Sequence, residues 1–148
     1  MLTDEIKNAI DKSVLCWLAT ASKEGIPNVS PKEIFTHYGQ HLLIADIASP
    51  QSVKNIIENS HVCISFIDIL VQKGWQLKGK AALIDASHIH FNSMLQSLTQ
   101  LTQGKFPIKN IISVQIEKAK PILAPRYLLY PDTTEEEQIA NAAKVYRL

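Results

Sequence analysis

Two short runs hold the residues whose types and spacing can do chemistry. The first is Pro27-Asn28-Val29-Ser30-Pro31-Lys32, which follows an apolar segment and the turn Ser22-Lys23-Glu24-Gly25. Alternate side chains of a strand share a face, so Asn28 and Ser30 can reach one object, with Lys32 on the same strand. Such a strand can set small polar groups and an ammonium beside a planar ring. The second run, Ser49-Pro50-Gln51-Ser52, opens an expected helix. A helix start is a ready anion site, because its first N–H groups have no internal partners and its dipole end is positive. Pro50 removes one of those donors; Ser49, Gln51 and Ser52 add side-chain donors, and Lys54 adds a charge nearby. Together the runs point to a phosphorylated, flat cofactor, with FMN as the leading candidate.

For a flavin, Lys32 has a specific use. Reduction places negative charge on the N1–C2=O edge of the ring, and a fixed ammonium or backbone N–H there raises the potential and sets the ring's orientation. Trp75, after Gly74 at an expected strand start, can stack on or wall off an aromatic cofactor. Trp17, among Cys16, Leu15 and Leu18, reads as core. No Gly-rich phosphate loop and no GxGxxG occurs, so nucleotide-binding folds of the parallel type are not supported. His88 and His90 are two apart on an expected helix, the wrong spacing for a helical metal pair. No metal site is expected. Cys16 and Cys63 sit alone in apolar segments and read as small buried hydrophobes, with no disulfide.

Composition agrees with a single domain. The chain has 148 residues, and 15 Lys plus Arg against 14 Asp plus Glu give no overall field that would recruit nucleic acid. No apolar run approaches the roughly 20 residues a membrane-spanning helix needs. The first residues are too charged for a secretory leader, so the expected location is cytoplasmic.

The elements that must position these residues follow from periodicity. Thr3 is expected to cap a helix running to about residue 13, with Ile6, Ala9 and Ile10 on its apolar face. Strands are expected over 14–21, 28–37 and 41–46, joined by the turns 22–25 and 38–40. Ser49 is the expected N-cap and Pro50 the first position of a helix to about residue 59, with Val53, Ile56 and Ile57 as its stripe. Strands over 62–68 and 74–84 follow, the second with a bulge at Gly79. A helix over 87–101, a strand over 111–117, an apolar proline-bounded tail and a helix capped at Thr133-Thr134-Glu135-Glu136 complete the chain. Strands arriving in runs imply an antiparallel sheet or small barrel with helices outside it.

At this point the pattern resembles the pyridoxamine 5′-phosphate oxidase-like, FMN-binding split-barrel superfamily, and within it the small flavin-nucleotide-binding members. The resembling pieces are Leu18-Ala19-Thr20-Ala21, Gly25 through Lys32, Leu43-Ile44-Ala45-Asp46, Lys54-Asn55-Ile56 and Lys78-Gly79-Lys80-Ala81. The resemblance implies a mainly β fold with peripheral helices, an antiparallel six-stranded split β-barrel, acting as a homodimer with FMN in a groove between subunits. It implies that Asn28, Val29 and Ser30 run along the isoalloxazine, with Lys32 near the ring or phosphate. Ala45 and Asp46 fall where the next strand touches the cofactor, and Gln51 and Ser52 at the phosphate. The chain departs from many members in having Gln51 and Ser52 in place of Arg or Lys, Glu33 in place of glycine and Pro27 in place of an arginine. These departures point away from pyridoxamine 5′-phosphate as the substrate. The expected function is FMN binding, in a flavin-dependent oxidoreductase of unknown substrate. The alternatives are a non-enzymatic flavin store, sensor or electron carrier, and, further off, a split barrel for haem or deazaflavin.

Overall fold

The computed structural model describes all 148 residues. In chain order the elements are α1 (Asp4–Lys12), β1 (Cys16–Ala21), β2 (Pro27–Lys32), β3 (Phe35–Tyr38), β4 (His41–Asp46), α2 (Pro50–Glu58), β5 (His61–Asp68), β6 (Lys73–Ile84), α3 (Phe91–Thr102), β7 (Asn110–Leu123), α4 (Pro125–Leu129) and α5 (Glu135–Tyr146). The strands form one antiparallel sheet in the order β2-β1-β5-β6-β7-β4-β3. The strand count is therefore seven, not six. The expected strand over 28–37 divides at Glu33 and Ile34, and its halves go to opposite edges of the sheet.

That division dictates the shape. β2 and β3 are the two edge strands, yet only Glu33 and Ile34 separate them. Two residues span roughly 7 Å when extended. The sheet must therefore curl until its edges meet, and Ile34 remains tied to β4 through the Ala45 N–H, which donates to its carbonyl at 3.0 Å.

The interior of the curl holds the larger core. Leu18, Leu42, Ile44, Ile64, Leu77, Ile112 and Val114 are fully buried there, and Ile6 and Ile10 of α1 fill one end. Thr3 caps α1 as expected, accepting from the Ile6 N–H. A second, smaller core lies on the opposite face, where Phe91, Met94 and Leu98 of α3 cover Leu43, Ala45, Ile84 and Ile111. β4 and the first half of β7 are thus buried on both faces. That is why Leu42-Leu43-Ile44-Ala45 and Ile111-Ile112 read as continuous apolar runs. β1 and β5 instead alternate between buried and accessible residues, because nothing in the chain covers their outer face. Trp17 lies on that face, 47% exposed, beside Pro31 of β2 and Ser65 of β5. It is surface, not core. Cys63 on the same face is only partly buried, whereas Cys16 is fully buried.

Four further expectations are corrected. β7 continues through Pro121 to Leu123, pairing with Trp75, Gly74 and Lys73 of β6. A proline is tolerated there because β4 pairs with β7 only up to Gln115, so one side of the strand is already a free edge at Pro121. α3 begins at Phe91, and His88 and His90 precede it in a turn. The inward face of α2 is Ser52, Asn55 and Ile56, while Ile57 is 70% exposed. The cap of α5 is Thr134, whose hydroxyl accepts from the Glu137 N–H, one residue later than expected. Thr134→Ala should lower stability by about 1 kcal/mol in urea unfolding. Thr133→Ala, which removes no side-chain bond of the chain, should change it by less than about 0.5 kcal/mol. The reverse ranking would place the cap at Thr133.

The irregularity expected at Gly79 is present as a register shift between Lys78 and Gly79, but the extra residue is Glu117 of β7, passed over between the Lys78–Lys118 and Gly79–Ile116 pairs. A Cβ on Gly79 would lie 2.0 Å from the Gln115 carbonyl oxygen, so only glycine admits the close approach of β7.

Candidate cofactor-binding site

β2 lies antiparallel to β1 with Asn28 opposite Thr20, Ser30 opposite Leu18 and Lys32 opposite Cys16. Directly opposed residues share a face. Asn28, Ser30 and Lys32 therefore point toward the interior with the buried Thr20, Leu18 and Cys16, and all three are half-buried. Val29 and Pro31 point outward, Val29 with 58% exposure.

α2 closes over this row. Ser52, 2% exposed, meets Ser30 hydroxyl to hydroxyl at 3.3 Å. One turn on, Asn55 donates to Thr20 Oγ1 at 3.0 Å and accepts from Gln51 Nε2 at 2.9 Å. These bonds fix the first turn of α2 against β1 and β2. Thr20 and Asn55 belong to runs that carry the family resemblance but have no role assigned there; the signal is a polar residue, Asn55, on the stripe that also carries Ile56.

Ser49 is the residue type that ordinarily caps a helix. Here it does not. Its φ of −135° and ψ of 56° turn the side chain away from the helix amides, and its hydroxyl accepts from the Lys32 ammonium instead. The N–H groups of Gln51 and Ser52 consequently have no partner in the chain. The result is a cradle of two free amides, the hydroxyls of Ser30, Ser49 and Ser52, and one ammonium.

β4 supplies the wall. Leu42, Ile44 and Asp46 face the interior, with Asp46 buried at 8% exposure, whereas Ala45 faces α3. Asp46 lies within electrostatic reach of Lys32 without forming a direct ion pair. Burial pushes the Lys32 ammonium below its ordinary value, and the charge of Asp46 pulls it partly back. Burial also pushes the Cys16 thiol up to about 12, against the opposing pull of Lys32. Cys16 is thus a neutral thiol and no nucleophile.

The structure brings together Asn28, Ser30, Lys32, Asp46, Ser52 and the start of α2. Gln51 is exposed at the rim and holds Asn55. Lys54 points to solvent on the far side of α2. Trp75 is elsewhere: it lines a separate groove of about 760 Å³ between α1 and the ends of β1, β5, β6 and β7, shared with Trp17, Lys12 and Lys73. The five histidines stay outside the cradle. His37 pairs with Asp11 at 3.1 Å and His41 meets Ser113 at 3.1 Å, while His61, His88 and His90 are exposed.

The profile of the family described as pyridoxamine 5′-phosphate oxidase matches residues 2–139, nearly the whole chain. The chain belongs to that family. Solved split barrels agree in fold. An FMN-binding protein from Syntrophomonas wolfei superposes with a TM-score of 0.70 at 15% identity, covering 82% of this chain and 86% of that one. HupZ from Group A Streptococcus gives 0.67 at 21% identity, over 80% and 92%. HutZ, the haem storage protein of Vibrio cholerae, gives 0.62 at 20% identity, over 82% and 94%. No curated protein matches the sequence. At these identities the likeness concerns the fold, so proteins with different ligands share it and the cradle must be read from its own residues.

The shift on Lys32 has a consequence for stability. In the unfolded chain its ammonium titrates near the ordinary 10.5; in the folded chain it does so lower. Between those two values the unfolded chain holds the proton and the folded chain does not, so this group makes stability rise with pH across that window. The contribution is modest, because the side chain is partly solvated. Lys32→Met should flatten the rise, seen as the midpoint of urea unfolding followed upward toward pH 10.5. An equal rise in the variant would mean that Lys32 is not the group responsible.

Proposed function

We propose that this member of the pyridoxamine 5′-phosphate oxidase family binds FMN and carries flavin-dependent redox chemistry. The observation that supports this most is the serine that does not cap. Ser49 leaves its helix amides open and instead holds the Lys32 ammonium beside them, an arrangement suited to an anionic group. Ser30 and Ser52 add hydroxyls to the same spot, and Asn28 continues the polar row along β2 toward the ring. When bound, FMN supplies hydride and electron transfer; the chain holds it, orients it and excludes water. Lys32, beside the reduced ring's anionic edge or the phosphate, would favour the reduced form.

Of the titratable groups here, Cys16 is held neutral and Lys32 is engaged by Ser49, and Asp46 on β4 has no side-chain partner that would orient it as an acid or base. This favours chemistry carried by the cofactor, and it equally suits a flavin store, sensor or electron carrier. Haem is the poorer reading, because no histidine lines the cradle.

A homodimer is part of the proposal. The outer face of β1, β2 and β5 exposes Trp17, Val29 and Ile67 in one continuous patch with Pro31 and Ala19. Beyond β7, Leu128, Leu129 and Tyr130 are 69%, 72% and 61% exposed. A second copy would cover such surfaces. Purified protein mixed with FMN should quench the flavin's fluorescence with a dissociation constant in the micromolar range or below. No quenching at hundreds of micromolar FMN would overturn the reading. Reduced flavin that gives electrons to generic acceptors but turns over no small-molecule substrate would mark a carrier.

A further inference from the structure

A second cavity, of about 500 Å³, lies between Gln72, the start of α4 and one face of α5. Its floor is Ala124, Gln138 and Ala142, all buried, with Gln138 only 5% exposed. Gln138 Oε1 is the one buried side-chain nitrogen or oxygen of the chain that has no hydrogen-bond partner. Buried acceptors are ordinarily satisfied, and one left unpaired is costly. The helix that carries it is held at both ends. Lys73 Nζ donates to Glu135 at 2.8 Å, and Gln72 Nε2 donates to the Tyr146 hydroxyl at 3.2 Å. The Ala124 N–H closes the opposite wall by donating to the Gln72 carbonyl at 3.0 Å. Above this floor the rim is cationic. Arg126 and Lys144 line the cavity, and no Asp or Glu does. Neither cation belongs to an ion pair of the chain. Arg126 is instead set over the Tyr130 ring, 5.5 Å from its centroid.

From an orphaned acceptor below two unpaired cations we propose that this cavity is a second ligand site, which takes a small dianion carrying a neutral hydroxyl. The hydroxyl donates to Gln138 Oε1, and the charged oxygens meet Arg126 and Lys144. The donor is uncharged because an ammonium would face both cations with no carboxylate to offset them. A dianion matches the two charges of the rim, and a guanidinium fork suits the edge of a carboxylate or a phosphate. Hydroxydicarboxylates and polyol phosphate monoesters share this chemistry. Gln138 is the residue that tells a hydroxylated anion from a plain one, since an analogue without the hydroxyl leaves the buried oxygen unpaired. The cavity shares no residue with the Lys32 cradle, so the proposal does not depend on the flavin reading.

The test is calorimetric titration of the full chain with two pairs of probes, malate against succinate and glycerol 3-phosphate against propyl phosphate. Within each pair the anion is the same and only hydroxyls differ. In the pair that binds, the hydroxylated member should be at least about tenfold tighter. The pair with the higher affinity shows whether carboxylate or phosphate is the anionic end, and either result supports the site. Gln138→Leu should bring the two members within about twofold while melting no lower than the parent, because the unpaired acceptor goes with the side chain. Replacing both cations, Arg126→Gln with Lys144→Gln, should weaken both members at least about tenfold. The bound hydroxylated probe should also slow amide exchange in the second half of α5, which locates it there. Equal affinities within each pair would overturn the proposal and leave Gln138 to an ordered water. A preference that survives Gln138→Leu would overturn it too, as would no binding of any probe at about 10 mM. If Gln138→Leu does not fold, the ratio in the parent and the exchange pattern decide.

Discussion

Trp17→Asp is expected to run as a monomer and to bind FMN at least about 100-fold more weakly than the parent chain. Trp17 lies in the middle of the uncovered outer face, between Pro31 and Ser65, and about half of it is open to solvent. Its replacement leaves the chain's own core intact, since Cys16 and Leu18 on the other face of β1 do the packing there. In a dimer the same position would be covered, and large aromatic residues at the centre of such patches carry much of the association energy. An unpaired carboxylate buried there would cost several kcal/mol, and each 1.4 kcal/mol is tenfold in affinity. If the flavin groove needs both copies, loss of the dimer is loss of the site, and diluting the parent until it dissociates should release FMN as well. Light scattering together with a flavin titration checks this, with circular dichroism to establish folding. A folded monomer that binds FMN like the parent would place the whole site within one chain.

Gly79→Ala should destabilise the fold by about 3 kcal/mol and lower the melting temperature by about 10 °C. The added Cβ would stand 2.0 Å from the Gln115 carbonyl oxygen and 2.9 Å from its carbon. Both are backbone atoms of β7, whose upper half is held on one side by β6 and on the other by β4. Neither strand can yield without opening ladder hydrogen bonds in the centre of the sheet. Lys78→Ala, an exposed neighbour on the same strand, should change stability by less than about 0.5 kcal/mol. Equal melting temperatures for the two variants would mean that the bulge relaxes freely.

Local physics was legible along most of the chain. Thr3 before Asp4 and Glu5 marked the start of α1. The apolar runs over 14–21 and 62–68 marked strands, and Gly79 marked the break in register; that β1 and β5 are covered on one face only is visible in the structure alone. Ser30, Lys32 and Ser52 were drawn from two runs far apart in sequence and meet in one cradle. What failed did so where a neighbour distant in sequence decides. Residues 28–37 have one unbroken strand-like character, and only barrel closure divides them between two edges at Glu33 and Ile34. Pro121 looked like the end of pairing. It lies within β7 because that strand has lost its second neighbour by then, a fact held in the register of β4 and not in the proline.

The same division runs through the site. Residue types and spacing determined that a lysine, small hydroxyls and a helix start would be available, because strand alternation and helix capping are properties of a few consecutive residues. Which hydroxyl caps and which binds was decided only in three dimensions. Ser49 has the chemistry of a cap, but the curl of the sheet brings the ammonium of Lys32 to it, and the bond holds its oxygen away from the helix. Ala45 and Asp46 are adjacent in sequence, yet the two cores on opposite faces of β4 send one beneath α3 and the other into the cradle. Trp17 and Leu18 are adjacent too, and the curl of the sheet buries one while leaving the other on an open face. A sequence specifies its own periodicity. Which face of each strand becomes interior depends on how the sheet closes, and closure is settled by the sum of contacts between strands far apart along the chain.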